Sequence, residues 1–237
     1  MNIFQGHNTY LYLNILTLLG PLFLSFDKKV AFYKDWKYFL YAMLPTSLAY
    51  IVWDIIATKT LVWKFNPQYL LGINIINLPI EEYMFFLVVP YACLFIYACL
   101  RAYWPDWHFP KLNSITTYAI ITLSAICIIY NPTHAYTTST FGLLAITYII
   151  LLYIKNNHHL THLIISWAVA LLPMAFVNGI LTGNPVLIYN DAENLGIRIG
   201  TIPFEDFFYN LLYMTWMITL FEIFKSRQTK RHQFQKK

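Results

Sequence analysis

From Leu112 to Ile154 the chain reads LNSITTYAIITLSAICIIYNPTHAYTTSTFGLLAITYIILLYI, forty-three residues without an Asp, Glu, Lys or Arg. A membrane-spanning helix needs about 20 predominantly apolar residues. The stretch therefore holds two, with Asn131-Pro132 as the turn between them. Met1–Phe26 and Leu160–Asn190 are also free of these charges. Over the whole chain of 237 residues, 58% are apolar and 11% charged. A soluble domain carries roughly a quarter charged residues, so a water-soluble fold is excluded. An aromatic content of 19% excludes a disordered chain. The fold class expected is an all-α integral membrane protein.

Hydropathy and proline positions predict seven helices, over about 8–26, 38–57, 79–101, 114–130, 138–155, 160–181 and 203–225. The first lacks a basic leader and a small-x-small cleavage site before Asp27–Lys29, so it is expected to be retained. Seven spans sort the cations. Thirteen of the sixteen Lys and Arg residues fall at one end of the bundle, and only Lys59, Lys64 and Arg198 at the other. The basic end is expected to be cytoplasmic, with the N-terminus outside and the basic tail inside. The pI near 9.0 follows from this asymmetry, so no nucleic-acid partner is inferred. Cys93, Cys99 and Cys127 lie inside apolar segments and suggest neither a disulfide framework nor a metal site. His158, His159 and His162 have no carboxylate or thiol ligand beside them and are read as an interfacial cluster, so no metal is expected.

The chain resembles itself at an offset of 124. Leu71-Gly-Ile-Asn-Ile-Ile-Asn-Leu-Pro-Ile-Glu-Glu82 aligns without gaps on Leu195-Gly-Ile-Arg-Ile-Gly-Thr-Ile-Pro-Phe-Glu-Asp206, with six of twelve positions identical. Thr58, Val62 and Asn66 recur as Thr182, Val186 and Asn190, and Asp54 falls on Asn178. The offset carries spans one to three onto spans five to seven. The expected organisation is repeat one over 1–105, a linking span over 106–130, repeat two over 131–225 and a basic tail over 226–237. Spans three and seven run in the same direction, as parallel repeats about an axis along the membrane normal.

Glu81, Glu82, Glu205 and Asp206 follow helix-opening prolines. Acids at a helix start ordinarily complement its dipole. Ionisable groups inside a bilayer protein are costly, however, and point to function. Clustered carboxylates in an apolar site cannot all ionise, which suits them to donate a proton at one carbon and remove one at another. These four acids are the candidate catalytic residues, and Glu81→Gln or Glu205→Gln is expected to abolish turnover. Asp54, Asn74, Asn178, Arg198 and Asn210 are candidate supporting polar groups, with Arg198 placed to pair with an acid. Trp53, Tyr83, Phe85, Phe86, Phe207, Phe208 and Tyr209 are candidate substrate-binding rings, since aromatic faces attract cations.

The segments Pro79–Phe86 and Gly196–Asn210 resemble the paired motifs of the non-flavin lycopene cyclases, which occur as two small membrane subunits or as one fused chain. They are also similar to the cyclase part of a fungal bifunctional carotenoid enzyme. The resemblance runs from about residue 8 to 225, as the fused form. It implies lycopene β-cyclisation in carotenoid biosynthesis, a lipid-soluble polyene substrate, the bilayer as surroundings, and association with other carotenoid enzymes. It places the motif acids at Glu81, Glu82, Glu205 and Asp206 without deciding donor and acceptor. No Gly-x-Gly-x-x-Gly occurs, so no dinucleotide-fold flavin is expected. No cofactor is expected, while assistance by a reduced flavin or nicotinamide is left open.

Rival functions fit less well. A retinal protein needs a lysine in the last span, and none lies between Pro203 and Phe224. A CAAX-type membrane protease shares Glu81-Glu82 but wants Arg where Phe86 stands. A prenyltransferase needs clustered aspartates for Mg-diphosphate, and those here are isolated. A proton-coupled transporter or carotenoid carrier is the non-enzyme alternative.

Overall fold

The computed structural model describes residues 6–154 and 158–234, with side chains through Arg227. Lys155, Lys236 and Lys237 of the charge-sorting argument lie outside the described residues. Seven helices run in chain order as α1 (Thr9–Leu24), α2 (Trp36–Lys59), α3 (Ile80–Tyr103), α4 (Pro110–Tyr130), α5 (Ala135–Tyr153), α6 (Leu160–Gly183) and α7 (Phe204–Phe234). Six of them are long and apolar enough to cross a membrane. The first is shorter than the span expected at 8–26, because the chain turns at Ser25 and Phe26 ahead of Asp27. Its sixteen residues rise about 24 Å, less than the ~30 Å hydrocarbon core. Leu44, Leu48, Ile115, Ile129, Leu172 and Phe176 stand exposed on the outer faces, where lipid would meet them.

Six short strands lie at the end where α3 and α7 begin: β1 (Trp63–Phe65), β2 (Asn74–Ile75), β3 (Leu78–Pro79), β4 (Leu187–Tyr189), β5 (Arg198–Ile199) and β6 (Ile202–Pro203). β2–β3 and β5–β6 are small hairpins leading into α3 and α7. The bounds of α2, the three strands after it and the first residue of α3 recur 124 residues later. Helices α1 and α5 begin 126 residues apart. The second repeat is therefore two residues shorter between its first two helices.

The repeats face each other across a pseudo-two-fold axis. β1 and β4 pair antiparallel, with Lys64 opposite Ile188 and Trp63 opposite Tyr189. The N–H of Asn66 bonds the Val186 carbonyl at 2.9 Å, and the N–H of Asn190 bonds the Val62 carbonyl at 2.9 Å. Equivalent residues exchanging the same bond in both directions is the signature of a two-fold contact. Within each repeat the first helix packs along the third, α1 on α3 and α5 on α7. Between repeats the packing crosses over, α2 on α7 and α3 on α6, while α4 rests on α5 and α6.

Candidate active site

The loop before each acidic pair is built the same way. A glycine in the left-handed region turns the chain, Gly72 at φ 82° and Gly196 at φ 68°, a conformation glycine adopts without steric cost. The N–H of Ile80 then bonds the Ile73 carbonyl at 2.9 Å, and that of Phe204 bonds Ile197 at 2.9 Å. The first acid of each pair clasps this loop. Glu81 Oε1 accepts the Leu71 N–H at 2.6 Å, and Glu205 Oε1 accepts the Leu195 N–H at 2.7 Å. Glu205 Oε1 also accepts the Thr137 hydroxyl at 2.6 Å. Both residues are fully buried, and neither lines the main cavity.

The second acids do line it. A cavity of about 1020 Å³, counting its open mouth, is headed by the carboxyls of Asp54, Glu82 and Asp206. Glu82 Oε2 accepts a hydrogen bond from the Tyr10 hydroxyl. Asp54 Oδ1 accepts the Trp63 indole N–H at 2.6 Å, while its Oδ2 has no hydrogen-bond partner among the described residues. Asp206 is the most fully bonded. Its Oδ1 takes the Tyr136 hydroxyl at 2.7 Å, and its Oδ2 takes the Tyr189 hydroxyl at 3.0 Å and the Asn178 amide at 3.2 Å. Trp63, Tyr136 and Tyr189 pack against one another with centroids 5.2–5.8 Å apart, closing the head of the cavity under the β1–β4 pair. Burial pushes the Tyr189 hydroxyl in this roof well above its ordinary range, so it remains a donor.

From the acids the cavity runs along α3 to Ile96. The step from Glu82 to Ile96 is about 21 Å at 1.5 Å per helical residue. Its walls are almost wholly apolar, with Phe65, Phe85, Phe86, Tyr209 and Tyr213 supplying rings and Val89, Ala92, Met174 and Val177 supplying aliphatic surface. Pro173 on its wall is exposed and Thr17 half-buried, so the slot opens sideways between α1 and α6. Such a shape suits a long apolar molecule entering from a bilayer with one end at the carboxyls.

Several residues singled out from the sequence stand elsewhere. Arg198 pairs with Asp191 at 2.5 Å instead of a cavity acid, because the β5 strand that carries it runs beside the Asp191 loop. That guanidinium holds the Asp191 carboxyl below its ordinary value. Asn74 is exposed on β2. Tyr83 donates to the Ile75 carbonyl at 3.0 Å, outside the slot. Phe207 and Phe208 do not line the slot: the backbone carbonyl of Phe207 accepts the Trp167 indole N–H at 3.1 Å, and the Phe208 ring packs on Phe141 and Trp167. Trp53 packs edge-on against Trp63 and lines a second, smaller cleft. Asn178 and Asn210 do line the slot. His159 Nε2 meets the Thr219 hydroxyl at 3.2 Å and His162 Nε2 the Trp104 carbonyl at 2.8 Å.

Sequence reasoning missed Tyr10, Trp63, Tyr136 and Tyr189. Tyr10 and Tyr136 hold equivalent places at the starts of α1 and α5, but 126 residues apart, so a fixed offset of 124 paired Tyr10 with His134 instead. Allowing the shorter connection would have aligned the two tyrosines.

A family model described as lycopene cyclase matches residues 7–100 and again 133–224. No curated protein and no solved structure matches the chain. The two matched regions take in both acid pairs with the hairpins ahead of them and most of the chain, and by them this protein belongs to the lycopene cyclase family.

Proposed function

We propose that this chain is a lycopene β-cyclase that forms each ring at the three carboxyls heading the slot. The observation that carries the reading is the pairing of Asp54, Glu82 and Asp206 with a long apolar cavity walled by aromatic rings. Asp54 and Glu82 are electrostatic neighbours. Two carboxyls side by side in an apolar site favour keeping a proton between them, and this pair is the donor. The proton adds to the terminal double bond of the acyclic end and leaves a tertiary cation. The next internal double bond attacks that cation, which closes the six-membered ring and moves the charge to the ring carbon at its far side. Loss of a proton from the adjacent carbon gives the β double bond.

Asp206 takes that proton. The three hydrogen bonds it accepts suit an acceptor-only carboxylate. Atoms and electrons balance within the substrate and these acids, so the step is redox-neutral. Rings along the wall stabilise the passing cation, each by about 2 kcal/mol when desolvated. Glu81 and Glu205 are positioning residues that clasp the loops ahead of α3 and α7. The thirteen-to-three sorting of cations supports a cytoplasmic basic end and an outer site.

Pigment chromatography of lycopene-accumulating bacteria expressing this chain alone tests the reading. Conversion to β-carotene, or to the one-ringed γ-carotene, is expected. Unchanged lycopene, with the protein present in the membrane, would refute it.

A further inference from the structure

The pseudo-two-fold axis passes near the acids, so the open slot between α1, α3 and α6 has a symmetry mate between α5, α7 and α2. That mate exists as the second cleft, lined from these three helices, but it spans only about one turn of α2 and of α5 and two turns of α7 and does not reach the acids. Equivalent positions explain the difference. Met174 and Val177 of the slot correspond to Tyr50 and Trp53, and Val89 and Ala92 correspond to Tyr213 and Trp216. The larger side chains fill the space against one another. Tyr50 packs on Tyr213 at 4.5 Å, on Tyr209 at 4.6 Å and on Trp216 at 5.8 Å between ring centroids. Among the described residues no acid lines this cleft.

We infer that the chain has a single polyene arm leading to one acid chamber, the second arm being plugged by Tyr50 and Trp216. The inference rests on the cyclase reading and adds the specificity device: the small side chain at 92 keeps one arm open, and Trp216 at the equivalent position, packed on Tyr50, closes the other. The two ends of one polyene therefore reach the carboxyls in separate visits.

The test copies the plug into the open arm. Lycopene-accumulating bacteria express the full chain as wild type, Ala92→Leu, Ala92→Trp or Leu143→Trp, with membrane protein quantified in each. Leu143 lines the second cleft and is exposed. Expected are a tenfold or greater loss of conversion for Ala92→Leu, complete loss for Ala92→Trp, and wild-type conversion for Leu143→Trp. Full conversion by a membrane-inserted Ala92→Trp protein would overturn the inference. So would a tenfold loss in Leu143→Trp, which does not depend on the Ala92 variants folding. Either result with an active wild type leaves the cyclase reading standing, whereas an inactive wild type overturns both.

Discussion

Adjacent acids on one helix point about 100° apart at 3.6 residues per turn. Glu81 and Glu82 therefore meet different surroundings, as do Glu205 and Asp206. One acid of each pair holds a loop amide and the other heads the slot. Glu82→Gln and Asp206→Asn should each lower lycopene conversion by roughly 10²-fold or more, the usual scale for a lost general acid or base, with normal membrane levels. Glu81→Ala should act on stability instead. It leaves the part-buried Leu71 N–H without the carboxylate that holds the loop ahead of α3. A lowered unfolding midpoint in detergent, with the remaining folded protein still active, is the expected result. The reverse pattern, an inactive but undamaged Glu81→Ala protein, would exchange the two roles.

Among the elements, the two hairpins offer a natural comparison. At the turn of β5–β6 the chain carries Gly200 at φ 64°, and at the equivalent turn of β2–β3 it carries Ile76 at φ 60°. A β-branched residue is strained in the left-handed region, by about 1 kcal/mol or more. Ile76 is also 77% exposed, so its side chain contributes little packing. Ile76→Gly should raise the thermal midpoint in detergent, and Gly200→Ile should lower it. The Arg198–Asp191 pair fastens the loop ahead of β5. Its partner's depressed pKa means the contribution is present above the ordinary value of 3.8 and is lost as pH falls through the lowered one. Exposed pairs of this kind contribute little, and Arg198 touches no cavity acid. Conversion by Arg198→Gln at neutral pH should therefore stay within about twofold of wild type.

For the whole molecule, the crossing of helices between repeats makes each half incomplete. Asp54 and Glu82 come from one side of residue 105, and Tyr136, Asn178, Tyr189 and Asp206 from the other. The connection between α3 and α4, Trp104–Phe109, contributes no residue to the slot. Fragments 1–105 and 106–237, expressed together, should reassemble through the α2–α7 and α3–α6 contacts and restore conversion. Neither fragment alone should do so. Activity in a lone fragment would show that the acids of one repeat suffice.

By itself, the sequence determined the membrane class, the ends of the seven helices to within about four residues except for the last, where α7 runs to Phe234 through the segment expected as a separate basic tail after 225, and the correspondence of the two acid-bearing motifs. Hydropathy along a helix is a property of neighbours in the chain, and so is a repeated motif. It also brought Asp54, Glu82, Asp206, Asn178 and Asn210 into view as polar groups where a bilayer penalises them. The tertiary structure alone decided which acid of each pair faces the slot, that Arg198 pairs with Asp191 over the Tyr189 ring, and that Tyr10, Trp63, Tyr136 and Tyr189 complete the site. Those assignments depend on how α1, α5 and the β1–β4 pair rotate and settle against α3 and α7. They follow from contacts between residues far apart in the chain, such as Tyr50 and Tyr209, 159 positions apart. Side-chain volume at equivalent positions leaves one of two symmetry-related arms open, and only the packed pair of repeats makes those volumes comparable.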